Sequence, residues 1–163
     1  MNGGIARKTR ESLARLHREL SNPFGVEEAQ EVLDLPPAKT ARLLAHLAAQ
    51  GWLVRLRRGV YSTVPVDAKH PQEWHVHPWL IAQQVFTPCY IGGWTACEHW
   101  DLTEQIFNDV VVVTEQRNTR MRQQVIKDNR YLLKTLKPGS TFGTKPVWVE
   151  RQRIWLSDPH RTI

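Results

Sequence analysis

Between residues 37 and 64 the spacing of apolar residues switches from helical to strand-like at a single glycine. In "PPAKTARLLAHLAAQG", Leu43, Leu44 and Leu47 form one stripe of a 3.6-residue helix. Pro37 suits the first helical turn, and Gly51 stands where a C-cap is expected. Directly afterwards, in "GWLVRLRRGVYS", Val54 and Leu56 alternate with Arg55 and Arg57, the pattern of a half-buried strand. Arg58-Gly59 turns the chain and "VYSTV" returns as a second strand. Two more amphipathic segments come before. "KTRESLARLHREL" (8–20) places Leu13, Leu16 and Leu20 on one face and stops at Ser21, Asn22 and Pro23, with Phe24-Gly25 as a corner. "VEEAQEVLDL" turns Ala29, Val32 and Leu33 inward and keeps glutamates near its N-terminus, where the helix dipole favours them. Three helices followed by a hairpin predict a winged helix-turn-helix over residues 1–66.

Residues 67–77, rich in proline and polar groups and without a clear period, read as a linker. The remainder, 78–163, predicts a mixed α/β domain. "PWLIAQQVF" begins a helix, "GGWTACEHWDL" another, "DVVVVTE" is a buried strand, and "RYLLKTL", "KPVWVE" and "RIWLSD" are further strands around the turn-forming "KPGSTFG". The fold class expected for the whole is α+β, a winged helix followed by a second, mixed domain. In the closing "SDPHRTI", Ser157 or Asp158 serves as an N-cap and Pro159 as the first helical residue, so a helix begins where the sequence ends. A fragment of a longer protein is therefore expected.

Composition narrows the function. No apolar run reaches membrane-span length and the basic N-terminus lacks a signal-peptide core, so a cytoplasmic protein without a membrane partner is expected. Cys89 and Cys97 make neither a CxxC pair nor a disulfide framework, and packing is the role expected of them. The net charge of +6 favours an anionic partner. On the third helix Lys39, Arg42, His46 and Gln50 recur at intervals of three and four, a polar face opposite the leucine stripe. Lys39 and Thr40 lie in its first turns, where a recognition helix meets the major groove. Alone, such a face is usually only solvated. The hairpin changes that balance, because Arg55, Arg57 and Arg58 sit where a wing meets phosphate or a minor groove. The candidate DNA-binding residues are therefore Lys39, Thr40, Arg42, His46, Gln50, Arg55, Arg57 and Arg58. Arg7, Lys8 and Arg10 either add phosphate contacts or belong to an unstructured start.

Other chemistry is weakly supported. Gly92-Gly93 lacks the context of a phosphate loop and reads as close packing at a loop-to-helix corner, with Trp94 and Trp100 in the core. His75 and His77, even with His70 or His99, do not make a regular metal-ligand set. Asp109 and Glu115 bracket one strand and Glu150 ends another, but no third converging carboxylate or following lysine completes a nuclease site. Cys97 and His99 would point apart on their helix. Neither catalysis nor a cofactor or metal is expected. The alternatives to a DNA-binding regulator are a protein-interaction module and, behind it, a metal-dependent nucleic-acid-processing enzyme.

The run "KTARLLAHLAAQGWLVRLRRGVYSTVP" resembles the N-terminal winged domain of AbiEi-type antitoxins. "HPWLIAQQVFTPCYIGGWTACEHWDLTEQIF" and "DVVVVTEQRNTR" are similar to that family's second domain, and "LSDPHRTI" to the start of its next helical stretch. The resemblance implies a phage-defence, type IV toxin-antitoxin role. The antitoxin represses its own operon through inverted repeats, which need two copies that can assemble on the DNA. It counteracts a nucleotidyltransferase toxin without a stable complex. Family members generally continue past this length, which leaves antitoxicity of this stretch open while the winged part is whole.

Overall fold

The structure, a computed structural model, describes residues 6–65, 67–70, 73–117 and 121–162. Parts of the expected linker, the end of "DVVVVTEQRNTR" and the last residue lie outside the described residues. The chain divides into two compact units, Met1–Val76 and His77–Ile163.

In the first unit α1 (Arg7–Glu19), β1 (Phe24–Gly25), α2 (Val26–Leu33), α3 (Pro37–Ala49), β2 (Leu53–Arg57) and β3 (Val60–Thr63) follow in order. The three strands form an antiparallel sheet in the order β1-β3-β2. The expected corner at Phe24-Gly25 is thus a short strand paired with Tyr61 and Val60. Two residues are too few to show a period of two, and only their partner makes them a strand. Leu13, Leu16, Phe24, Ala29, Leu33, Leu44, Leu47, Leu53 and Tyr61 make the core, with Leu20 and Leu43 only partly buried against it. Glu28 accepts a hydrogen bond from the Gly25 N–H at 2.6 Å, closing the start of α2. Asp34 ends that helix in the left-handed region (φ 52°), and the turn through Pro36 to α3 is three residues long.

The second unit contains α4 (Pro78–Phe86), β4 (Cys89–Ile91), α5 (Gly93–His99), β5 (Asp109–Thr114), β6 (Gln123–Ile126), β7 (Asn129–Thr135), β8 (Thr144–Val149), β9 (Gln152–Ser157) and α6 (Pro159–Thr162). Its six-stranded sheet runs β6-β7-β5-β4-β9-β8, with β5/β7 and β4/β9 parallel and the other pairs antiparallel. Tyr131, fully buried, packs on Phe86 at 5.7 Å and donates to the Pro78 carbonyl at 2.9 Å, which ties α4 to the sheet. Asp158 caps α6, accepting from the Arg161 N–H at 2.8 Å. The glycine pair does serve close packing: a Cβ on Gly93 (φ +53°) would come within 3.0 Å of Val111, and one on Gly92 within 3.1 Å of Val113. Trp94, however, is not core. It is 58% exposed and stacks on Phe107 at 5.4 Å. Trp100 is partly buried, and its indole N–H donates to the Ser157 carbonyl at 2.8 Å.

Candidate nucleic-acid interface

The join between α3 and β2 is built from backbone chemistry that the sequence dictates. Gly51 adopts φ 81°, the Gly51 N–H donates to the Ala48 carbonyl, and the Trp52 N–H reaches back to Leu47 at 3.0 Å. This is the Schellman arrangement, which satisfies the last carbonyls of α3 and redirects the chain into β2 within two residues. Leu44 and Leu47 bury one side of α3 completely, leaving Lys39, Arg42, His46 and Gln50 exposed on the other. From Lys39 to Gln50 this face extends about 16 Å, within the reach of a helix lying in a major groove.

Thr40 departs from the expected set. It is fully buried, and its hydroxyl faces the Leu35 and Pro36 carbonyls at 3.3 and 3.2 Å. The side chain secures the turn entering α3 and is unavailable to a base edge. Thr40 is therefore removed from the candidate set, which keeps the other seven residues.

In the hairpin Leu53, Val54 and Leu56 are buried while Arg55 and Arg57 are exposed. A bulge lies between the two arginines, which face Tyr61 and Val60 across the ladder. Arg58 is exposed at the tip beside Gly59 (φ 80°), where an added Cβ would meet nothing within 4 Å. The base of the hairpin is clamped from α1's side of the fold. The Asn22 amide donates to the Thr63 hydroxyl at 2.7 Å and accepts from the Thr63 N–H at 2.9 Å. No sequence signal could have found this pair, since 41 residues separate its members.

Charge is sorted along the first unit. Glu27, Glu28, Glu31 and Asp34 crowd onto α2 and its end, and no carboxylate then occurs until Asp67. Within that interval lie Lys39, Arg42, Arg55, Arg57 and Arg58, none of which forms an ion pair with a described carboxylate. By contrast Arg7 on α1 pairs with Glu11 at 3.1 Å, four residues on.

The residues considered for other chemistry are occupied elsewhere. Asp109 lies 3.6 Å from Arg130 and Glu115 accepts from the Thr141 hydroxyl; they flank opposite ends of β5, about 20 Å apart along a strand. His77 caps α4, its Nδ1 accepting from the Trp79 N–H at 3.2 Å, and burial lowers its pKa while nearby Glu150 partly opposes the shift. Burial pushes the Cys89 thiol up to about 12. Among the described residues no group of three or more His, Cys, Asp or Glu is placed to hold a metal ion, and no helix is long and apolar enough to cross a membrane.

Residues 4–64 match the family model of the AbiEi antitoxin, a transcriptional regulator. The match takes in every helix and strand of the first unit and ends before the second. No curated protein matches the chain. With its three helices and its hairpin, the N-terminal unit of this chain is thus similar, over residues 4–64, to the AbiEi antitoxin transcriptional regulators.

Proposed function

We propose that the protein is the antitoxin and autorepressor of a type IV toxin-antitoxin operon, and that α3 and the β2–β3 wing hold its own promoter DNA. The observation that carries the reading is the carboxylate-free interval from α3 through the wing, with five cations none of which pairs with a described carboxylate. A polyanion is what such an interval attracts, through release of the counterions condensed on the duplex. Lys39, Arg42, His46 and Gln50 supply register and base choice, the cations suiting guanine edges and the amide adenine. Arg55, Arg57 and Arg58 supply phosphate or minor-groove contacts. Inverted repeats call for two copies, which the DNA itself brings together. The nucleotidyltransferase toxin is counteracted without a stable complex, as the family resemblance implies.

Gel-shift titrations over a salt series, using the region upstream of the gene, test the reading. Arg57→Ala should weaken binding to all sequences alike and reduce the salt slope by about one. Arg42→Ala should cost about 1–3 kcal/mol on the preferred site and relax discrimination at one base position. If neither substitution changes binding, the interface is wrongly assigned. If the wild type retards no promoter DNA but holds a protein partner in high salt, the regulator reading fails altogether. The toxin-antitoxin part is tested by co-expression with a neighbouring nucleotidyltransferase, where rescue of growth is expected.

A further inference from the structure

We propose that the β8–β9 hairpin of the second unit is a stacking platform for the unpaired bases of a single-stranded nucleic acid. The register sets Pro146 opposite Trp155 and Trp148 opposite Arg153. These positions are two residues apart on each strand, so all four side chains emerge on the same face. Trp148 is 70% exposed and Trp155 38%, and the Arg153 guanidinium lies 5.1 Å from the centre of the Trp155 ring. Ile154 and Leu156, on the other face of β9, are buried and hold the hairpin to its sheet. The indoles are therefore not needed to fasten it. Leaving such large apolar surfaces in water forgoes about 25 cal/mol for every Å² that could be buried, which points to a partner.

The chemistry of the face selects that partner. Two indoles on one face, one of them with a guanidinium over its ring, offer flat π surfaces and a positive charge at the spacing of a strand pair, which suits bases that stack and a backbone that carries phosphate. The segment is cationic overall: from residue 137 onward the chain has Lys137, Lys145, Arg151, Arg153 and Arg161 against Glu150 and Asp158, with Lys145 turned to the opposite face of β8, over Trp100. The Asp158 carboxylate is engaged as the cap of α6. Trp155 also walls a pocket of about 510 Å³ shared with Gln83, Thr87, Glu115 and Thr141, whose polar groups can meet the edge of an inserted base. A second copy of this chain added to the edge of the sheet is disfavoured, because β8 is the outermost strand and carries Pro146, which has no N–H to donate. A duplex presents its bases stacked inside the helix, so only an unpaired strand can use the indoles. DNA and RNA share this chemistry.

The test uses the full chain with labelled oligo-dT and oligo-U of about 15 nucleotides, within the usual span of such sites, and with promoter duplex. Tryptophan fluorescence should be quenched on addition of either single strand. Trp148→Ala and Arg153→Ala should each weaken single-strand binding about tenfold and leave duplex binding unchanged. Trp148→Phe, which keeps an aromatic face, should retain most of it, and thermal melting should show each variant folded. Arg57→Ala should have the reverse effect, so a failure of the duplex interface is read separately. A preference for one oligonucleotide names the strand as DNA or RNA. The proposal is overturned if Trp148→Ala and Arg153→Ala bind both single strands as the wild type does. It is equally overturned if polyglutamate displaces the oligonucleotides at equal charge concentration, since charge alone would then account for binding.

Discussion

Thr40 stands beside Lys39 at the start of α3, yet its side chain turns inward. The sign of this was present in the spacing: Thr40, Leu44 and Leu47 are four and three apart and so share the apolar stripe. Thr40→Val should lower stability by about 1 kcal/mol, measured by chemical denaturation, because the hydroxyl's bonds at the α2–α3 turn are lost. The duplex affinity of the folded variant should equal that of the wild type; a loss of sequence preference would return Thr40 to the interface. Gly93 is constrained in a different way. Its left-handed backbone and the 3.0 Å approach of Val111 to a Cβ predict that Gly93→Ala costs about 1–3 kcal/mol in a melting experiment. Trp94 shows the limit of residue type as a guide. A tryptophan at helical spacing reads as core, but position on α5 leaves this one largely in the open, stacked on Phe107.

At the scale of elements, α3 and the wing were legible because their signals are short-range. Pro37, the leucine stripe, Gly51 and the alternation from Leu53 to Arg57 all act within a few residues of themselves. β4 and β6 were not legible. β4 is three residues long between Pro88 and Gly92, and β6, "QQVI", has only Ile126 buried, so neither shows a usable period. They are strands because β5 and β7 pair with them. The start of α4 carries a pH dependence of its own. His77 must be neutral for Nδ1 to accept from Trp79, and burial holds its pKa below 6.5; the unfolded chain therefore binds the proton first as pH falls. The contribution is whole above about 6.5 and is lost as pH drops from there to the folded value. His17 on α1 shifts the same way through burial. The melting temperature should accordingly fall between pH 7 and 5. His77→Asn, which keeps a capping acceptor without titrating in this range, should flatten part of that slope, and an unchanged slope would exclude His77 as a source.

Across the whole molecule, net charge is a poor guide to where an anion binds. Eleven of the 22 Lys and Arg and eight of the 16 Asp and Glu fall in each unit, so each carries an excess of three cations. What differs is arrangement: a carboxylate-free interval in the first, a guanidinium over one of two exposed indoles in the second. Because the core of the first unit is drawn from its own residues, a chain of residues 1–76 should fold alone and select the same duplex sequences as the full chain. It should not bind oligo-dT or oligo-U, and retained single-strand binding would move that site off the hairpin of the second unit. The sequence by itself determined the order of helices and wing in the first unit, the glycine stop between them, the start of α6 at Pro159 and the family resemblance, since each depends on spacing within roughly a dozen residues. Only the tertiary structure decided that Asn22 clamps Thr63, that β4 and β9 run parallel, and that Trp148, Arg153 and Trp155 share one exposed face. Those outcomes depend on partners distant in the chain, and a local period says which face a residue shares but not whether another element comes to cover it.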